Sequence, residues 1–374
     1  MISGKRILIV GGGIGGMACA IRMSELGAAV TVIDIDPDWR VYGAGITITG
    51  PTLRAYKNLG MLEDIKREGE ISNGLRIFSY AGEHLQDLDE PAIEEGLPAT
   101  GGIMRPVLHR IMQSRIRERG IPVRLGLSVD ALVNRDGGVD VSFTDGTSDR
   151  FDAVVGSDSV YSGVRRLAFP HMGEAQPTGQ GCWRISIRRP PEVDRGEFYF
   201  GHRYAVGITP CADDMVYLWM LTPHVRRERH FSETELYENL KANLADFGRN
   251  AGWIRDNMTP ADWINYRPLA AAMQPAPWYQ GNIVLLGDAV HATTPHLASG
   301  AGMAVESALV LAEELDRAET IAEGLQAYQD RRFERCRDVI ETSVGVGQLQ
   351  LEGGSPEEVS ERISAAMHRL AEPY

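Results

Sequence analysis

The first residues whose types and spacing could do chemistry are Gly11, Gly13 and Gly16, in Gly11-Gly12-Gly13-Ile14-Gly15-Gly16, with Asp34 further on. Glycines at this spacing hold a pyrophosphate. Gly11 allows a tight turn out of a strand, Gly13 lets the backbone approach the phosphates, and Gly16 lets helix and strand pack closely. An acid about 20 residues on accepts from a free ribose 2′-OH. Gly287-Asp288 ends a later apolar run, and Pro295-His296 then leads into Gly300-Ala301-Gly302. Asp288 has the chemistry to accept from a hydroxyl of a ribityl chain. The N–H groups near Gly302 are suited to face an electron-rich ring.

Short elements must position these residues. Arg6 to Val10 reads as a buried strand, Met17 to Leu26 as a helix closed by Gly27, and Val30 to Ile33 as a strand ending at Asp34. The pyrophosphate would sit on the helix N-terminus, where free N–H groups and the dipole favour an anion. FAD and NAD both carry the ribose that Asp34 requires. After Arg40 come Gly43 to Ile48 and a helix from Thr52 to Leu59, closed by Gly60. Ile283 to Leu286 reads as a strand, and Met303 to about Arg317 as a helix.

The 374 residues give a prior of two to three domains. Lys and Arg total 38 against 51 Asp and Glu, a net charge of -13 without a basic stripe, which argues against nucleic-acid binding. The apolar runs are far shorter than the roughly 20 residues of a membrane span. Glycine is abundant, 41 of 374, against a usual ~7%. Cys19, Cys182, Cys211 and Cys336 are widely separated, so neither a metal site nor a disulfide framework is expected. Lys5-Arg6 before an apolar run imitates an export signal, but five glycines interrupt it. A cytoplasmic protein is expected.

The chain from about residue 5 to 320 resembles the FAD-dependent aromatic hydroxylases, the group that includes para-hydroxybenzoate and salicylate hydroxylases. The resemblance rests on the first motif with Asp34, Gly43 to Ile46, Arg105, Gly156-Ser157-Asp158 before Ser162 and Arg165, and Gly287-Asp288. Pro295 to Ala304 is most similar to the salicylate and 6-hydroxynicotinate branch. It implies an α/β fold: a Rossmann-like, GR2-type FAD-binding domain with an interleaved, mostly antiparallel substrate domain and a C-terminal helical segment. The implied division is 1–73, 100–175 and 267–374 for FAD, and 74–99 with 176–266 for substrate. The implied cofactor-binding residues are Gly11, Gly13, Ile14, Gly15, Gly16, Asp34, Ile35, Arg40, Gly45, Arg105, Val129, Asp158, Asp288, Gly300, Ala301 and Gly302. Val129 would meet the adenine, Arg105 the flavin side, and the Asp158 motif both FAD and NAD(P)H. Asp158-Ser159 stands where the family has Asp-Gly, Gly300-Ala301-Gly302 where it has Gly-Gln-Gly, and Met303 where it has Asn.

Between about 176 and 266, Gly181 to Ile187, Gly196 to Phe200 and Met215 to Leu221 read as strands, and Phe231 to Phe247 as a helix opened by Ser232 and Glu235. Gly74 to Leu88 reads as a hairpin, and the tail from Glu352 as a peripheral helix. Trp183, Tyr217, Trp219 and Pro295 are candidate substrate contacts, the aromatics being otherwise ordinary sheet packing. His291 would orient the Asp288 motif. His296 is the candidate catalytic base for a phenolic proton, or else a packed loop histidine. The implied activity is monooxygenation: NAD(P)H and O₂ hydroxylate a small aromatic or heteroaromatic substrate through a hydroperoxyflavin, in a monomer or homodimer. The alternative is another reaction on this fold, such as a Baeyer–Villiger or epoxidising oxygenase or an alkene reductase. No membrane, metal or nucleic-acid partner is expected.

Overall fold

A buried parallel sheet carries the glycine motifs. The structure, a computed structural model, describes residues 2–41, 43–89, 92–201, 204–224 and 231–374. The six strands lie in the order β18 (Tyr279–Gln280), β19 (Ile283–Leu285), β12 (Ala153–Gly156), β1 (Arg6–Val10), β2 (Ala29–Asp34) and β8 (Val123–Leu125). All pairings are parallel except β18 with β19. Strands buried on both faces read as continuous apolar runs, and Ile7, Leu8, Ile9 and Val10 are all buried. Helices α1 (Ile14–Glu25), α4 (Arg105–Glu118) and α9 (Gly300–Arg317) contribute to the same core. The α1 helix starts earlier than Met17 because Gly15 and Gly16 fall in its first turn. The segment leading to Gly156 forms two strands, β11 (Ser148–Phe151) and β12. Asp152 separates them, its backbone N–H donating to Arg6 O and its carboxylate accepting from Arg6 N. The β11 strand continues a small sheet with β10 (Gly138–Phe143) and β9 (Val129–Arg135).

A second core lies under a seven-stranded sheet. Its order is β17 (Ile264–Met273), β13 (Gln176–Arg188), β16 (Met215–Pro223), β15 (Ala205–Ala212), β14 (Gly196–Phe200), β5 (Gly74–Ser79) and β6 (His84–Asp89). Only β5 with β14 is parallel. Side chains alternate across such strands. One face (Phe78, Trp183, Ile185, Tyr199, Val206, Leu218) packs with residues of α6 (Glu233–Asn243) and α7 (Arg249–Asn257). The expected capping box of Ser232 and Glu235 opens α6, though the helix stops at Asn243. The strands β15 and β17 were not expected; Gly207 and Pro210 interrupt the first pattern, and Arg267-Pro268 the second. The division expected between 266 and 267 falls inside β17, which stays paired to β13 as far as Ala271.

The remaining elements bridge the two sheets. The strands β3 (Gly45–Thr49), β7 (Thr100–Met104) and β4 (Glu70–Ser72) form a second small sheet, followed in sequence or flanked by α2 (Gly50–Asn58) and α3 (Leu62–Glu68). Short helices α5 (Gly163–Ala168) and α8 (Asp288–His291) follow β12 and β19. The tail is more than peripheral: α10 (Ile321–Leu351) precedes α11 (Pro356–Ala371), which buries Val359, Ala366 and Leu370. No helix among the described residues is long and apolar enough to cross a membrane.

Arg332 and Arg335 of α10 clamp the buried Glu306 of α9, each with an N···O distance of 2.9 Å. Burial pushes the Glu306 carboxyl up, but the two guanidiniums pull it further down, so its net shift is below the ordinary value. Removing one partner of a buried ion pair leaves uncompensated charge and costs about 3–5 kcal/mol. Glu306→Gln is therefore expected to lower unfolding free energy by about that much in a urea titration at neutral pH. A lowered folded-state pKa contributes stability above the unfolded value and loses it as pH falls through the folded one. The gap between wild type and Glu306→Gln should accordingly narrow in acid.

Candidate functional site

The N-termini of α1 and α9 are built differently from those of the surface helices. Helices α6, α10 and α11 each start with a Ser or Thr that accepts from the N3 backbone, and a Glu at N3 that reaches back. The α1 helix starts at Gly13 and α9 at Ser299, with no side-chain cap and no acid in the first turn. Helix N-termini left this way offer donors and a positive dipole end to an anion or an electron-rich ring. Both open on one cavity of about 1010 Å³.

Backbone contacts explain the first glycines. A Cβ on Gly11 would come 2.3 Å from Ser157 O, and one on Gly16 would come 1.9 Å from Gly11 O. A Cβ on Gly13 would meet nothing within 4 Å, because that position faces the cavity. Asp34 accepts from Gly12 N (2.7 Å) and Asp36 N (2.8 Å), which fixes its carboxylate at the cavity edge with acceptor capacity left over. Arg40, ion-paired to Asp36 and Asp38, stands beside it.

At the other end Gly287, at φ +65°, turns the chain into Asp288. Burial pushes the Asp288 carboxyl up, with His291 and Arg105 pulling against it. The 3₁₀ turn Pro295–Leu297, Gly300 and Ala301 complete this wall. The inner face of the seven-stranded sheet closes the cavity with Arg184, Phe198, Phe200, Tyr217 and Trp219. Burial pushes the Tyr217 phenol up to about 12 against the pull of Arg184 and Arg105, so it stays neutral.

A family model described as FAD binding domain matches residues 5–343. The chain belongs to the FAD-dependent aromatic hydroxylase family. It is 30% identical to YetM of Bacillus subtilis over 351 residues, 93% of this chain and 95% of that one. It is 29% identical to the 2-heptyl-3-hydroxy-4(1H)-quinolone synthase of Pseudomonas aeruginosa over 348 residues, 92% and 89% of the two chains. The fold is also similar to Klebsiella pneumoniae HpxO complexed with FAD and uric acid, with a TM-score of 0.83, 21% identity, and 99% and 93% of the chains covered.

The cavity fits the cofactor of this hydroxylase family. The uncapped α1 terminus over Gly13 suits the pyrophosphate, Asp34 the ribose, Asp288 the ribityl hydroxyls, and the uncapped α9 terminus the flavin ring. Gly11, Gly16, Ile35, Val129, Asp158 and Gly302 do not line the cavity, although Gly12, Gly13, Ile14 and Gly15 do. Ile35 is 75% exposed outside it, and Val129 is buried in the three-stranded sheet. A Cβ on Gly302 would come 2.2 Å from Thr52 Oγ1, so this glycine lets α9 pack on α2. Asp158 instead caps α5, accepting from Ser162 Oγ and from Val164 N at 3.0 Å. Arg165 in that helix is buried and donates to Ala289 O at 2.8 Å, which ties the second motif to α8. Ser159 holds the turn at φ +71°, where the family has glycine.

Trp183 is corrected: it faces the second core, donating from Nε1 to Thr222 Oγ1 at 3.1 Å. Its parity is opposite to Tyr217 and Trp219 because it pairs with Met220. His296 touches the cavity, but its Nδ1 is hydrogen-bonded with Thr294 Oγ1 at 2.9 Å. Its Nε2 edge packs on α10, where a Cβ at Gly347 would come 3.1 Å away. Burial pushes its pKa down to about 4, a poor match for taking a phenolic proton. Arg184, Phe198 and Phe200 were missed; the signal was an Arg beside Trp183 in an apolar strand and two Phe residues two apart.

Gly13→Ala separates the cradle from the fold. It is expected to leave apoprotein thermal stability within about 1 kcal/mol, because φ -77° and the open space around the added Cβ suit alanine, while weakening FAD uptake at least tenfold by fluorescence titration. Gly16→Ala, which must move backbone, is expected to lower both.

Proposed function

We propose that the chain hydroxylates a small aromatic or heteroaromatic compound on its ring, using FAD, O₂ and NADH or NADPH. In balance, ArH, O₂, NAD(P)H and a proton give ArOH, water and NAD(P)⁺. The observation that carries this is the continuity of the cavity, from the two uncapped helix termini to an inner face carrying Tyr217, Trp219, Phe198 and Phe200. Bound FAD supplies the hydride acceptance and oxygen activation. The protein positions and encloses. Gly13, Ile14, Gly15, Asp34 and Arg40 hold the adenine end; Gly45, Arg105, Asp288, Gly300 and Ala301 hold the flavin end. Tyr217, Trp219 and Pro295 border the substrate. The heteroaromatic names of two relatives, a quinolone synthase and a protein complexed with uric acid, support this substrate class.

His296 belongs to the wall: its Nδ1 is hydrogen-bonded with Thr294 Oγ1, its Nε2, without a hydrogen-bond partner among the described residues, packs against α10, and burial pushes its pKa down to about 4. The substrate portion comprises 74–99 and 176–273, with β17 kept whole, and the FAD portion the rest. A reducing, cytoplasmic setting agrees with four buried free thiols.

The test is an absorption spectrum followed by NADH and NADPH oxidation with phenols, hydroxybenzoates and hydroxypyridines. Flavin bands, oxidation stimulated by at least one compound, and one oxygen atom from O₂ in its product are expected. A colourless protein that FAD does not turn yellow would overturn the reading, as would indifference to every ring compound. His296→Gln should keep turnover within about tenfold, where loss of a general base typically costs 10²–10⁴.

A further inference from the structure

We propose that Trp39 is a positioning residue for the cofactor: its indole N–H fixes the Gly12–Gly13 peptide and so keeps the Gly13 N–H as a donor for the FAD pyrophosphate. The proposal concerns FAD alone and holds whichever ring compound reacts. Trp39 Nε1 donates to Gly12 O at 2.9 Å. Gly12 N donates in turn to Asp34 Oδ2 at 2.7 Å. Gly12 is not among the three glycines whose spacing marks the motif, and the indole supplies its reason. A Cβ there would come 2.4 Å from Trp39 Nε1 and 3.1 Å from Asp34 Oδ2. Trp39, Gly12, Gly13 and Asp34 all border the cavity. A peptide between two glycines turns over at little steric cost, because neither neighbour carries a Cβ. In a planar trans peptide the C=O and the following N–H point opposite ways. A bond to Gly12 O therefore also sets the direction of the Gly13 N–H, which no acceptor takes among the described residues. Turned over, the same peptide would present a carbonyl oxygen to the diphosphate in place of a donor.

Trp39 is held against its own backbone preference. It stands at φ +49°, a left-handed conformation unfavourable for a bulky side chain. Such outliers persist only where the surroundings over-determine them, and they cluster at ligand clamps. Trp39 N donates to Asp36 O at 3.2 Å, and Gln113 Nε2 donates to Trp39 O at 3.0 Å. The His109 ring meets the indole edge-on, with 5.8 Å between centroids, and the Arg117 guanidinium lies over it at 5.9 Å. His109, Gln113 and Arg117 all belong to α4, so one helix holds the buried indole from behind.

The experiment compares the full-length apoprotein of wild type, Trp39→Phe and Gln113→Ala. FAD is titrated by flavin fluorescence, ADP by displacement of FAD, and adenosine by ligand-observed NMR, which reads weak binding. Thermal melting of each apoprotein reports folding. Phenylalanine keeps a ring and drops the N–H; FAD and ADP carry the diphosphate and adenosine does not. Trp39→Phe should weaken FAD and ADP about three- to tenfold, the size of one lost hydrogen bond, and leave adenosine unchanged. Gln113→Ala keeps the indole and removes an anchor of its backbone. It should show the same pattern more weakly, and it carries the test if Trp39→Phe does not fold. Unchanged FAD affinity in the folded variant overturns the proposal. Equal weakening of all three ligands also overturns it, because Trp39 would then be a packing wall for the adenosine and not a support of the diphosphate donor.

Discussion

Three parallel strands that run out into glycine govern this molecule. The β1 strand leads to Gly11, β12 ends on Gly156 and β19 leads to Gly287, side by side, with Val10 opposite Gly156 and Gly156 opposite Leu285. Ser157 N donates to Val10 O, and Leu286 N to Gly156 O, so the ladder holds to the point where the chains turn. Beyond it the strand ends approach so closely that Gly11 has no room for a Cβ beside Ser157. The helices that follow start with open donors in a shared space. Everything that binds a long anionic cofactor descends from that register.

Ion pairs and carbonyl contacts behind the cavity keep those ends in place. Arg165 ties α5 to α8 through Ala289 O. Arg332 donates from Nε to Ser307 Oγ at 3.1 Å, and His291 Nε2 is hydrogen-bonded to the same oxygen at 2.9 Å. The α8 helix, which carries Asp288, is thereby held from both sides, by α5 and by the α9–α10 pair. A motif spread over four segments distant in sequence acts as one rigid wall because these buried polar groups are paired.

Legibility in the sequence followed the range of the physics. Gly16 and Asp34 act on backbone within their own βαβ unit, at Gly11 O and Gly12 N, and spacing alone places them there, whereas Gly11 is also confined by Ser157 beyond β12. Gly302 has the same residue type and sits in a similar turn, yet its constraint is Thr52 on α2, a contact that only tertiary packing creates. Trp183 was assigned to the wrong face because alternation fixes parity within one strand only. The register that pairs Trp183 with Met220 is a property of two strands, set by β13 and β16 together. The same register puts Arg184 opposite Trp219, so correcting one residue and finding the other are a single step. Asp158 was read as a ligand contact; Asp residues compete for nearby backbone N–H groups, and this one also accepts from the first turn of α5, outside the cavity lining.

Guanidiniums of Arg105 and Arg184 line the cavity of a chain whose net charge is -13. A protein at -13 repels anions from its surface on average, so an anionic ligand must be drawn by groups close to where it sits. Screening reduces the far field over about 8–10 Å in ordinary salt, whereas partly buried charges are screened much less. Arg105 and Arg184 line that cavity, and of these two only Arg105 senses Asp288. The net negative exterior therefore does not oppose binding of an acid once it has entered.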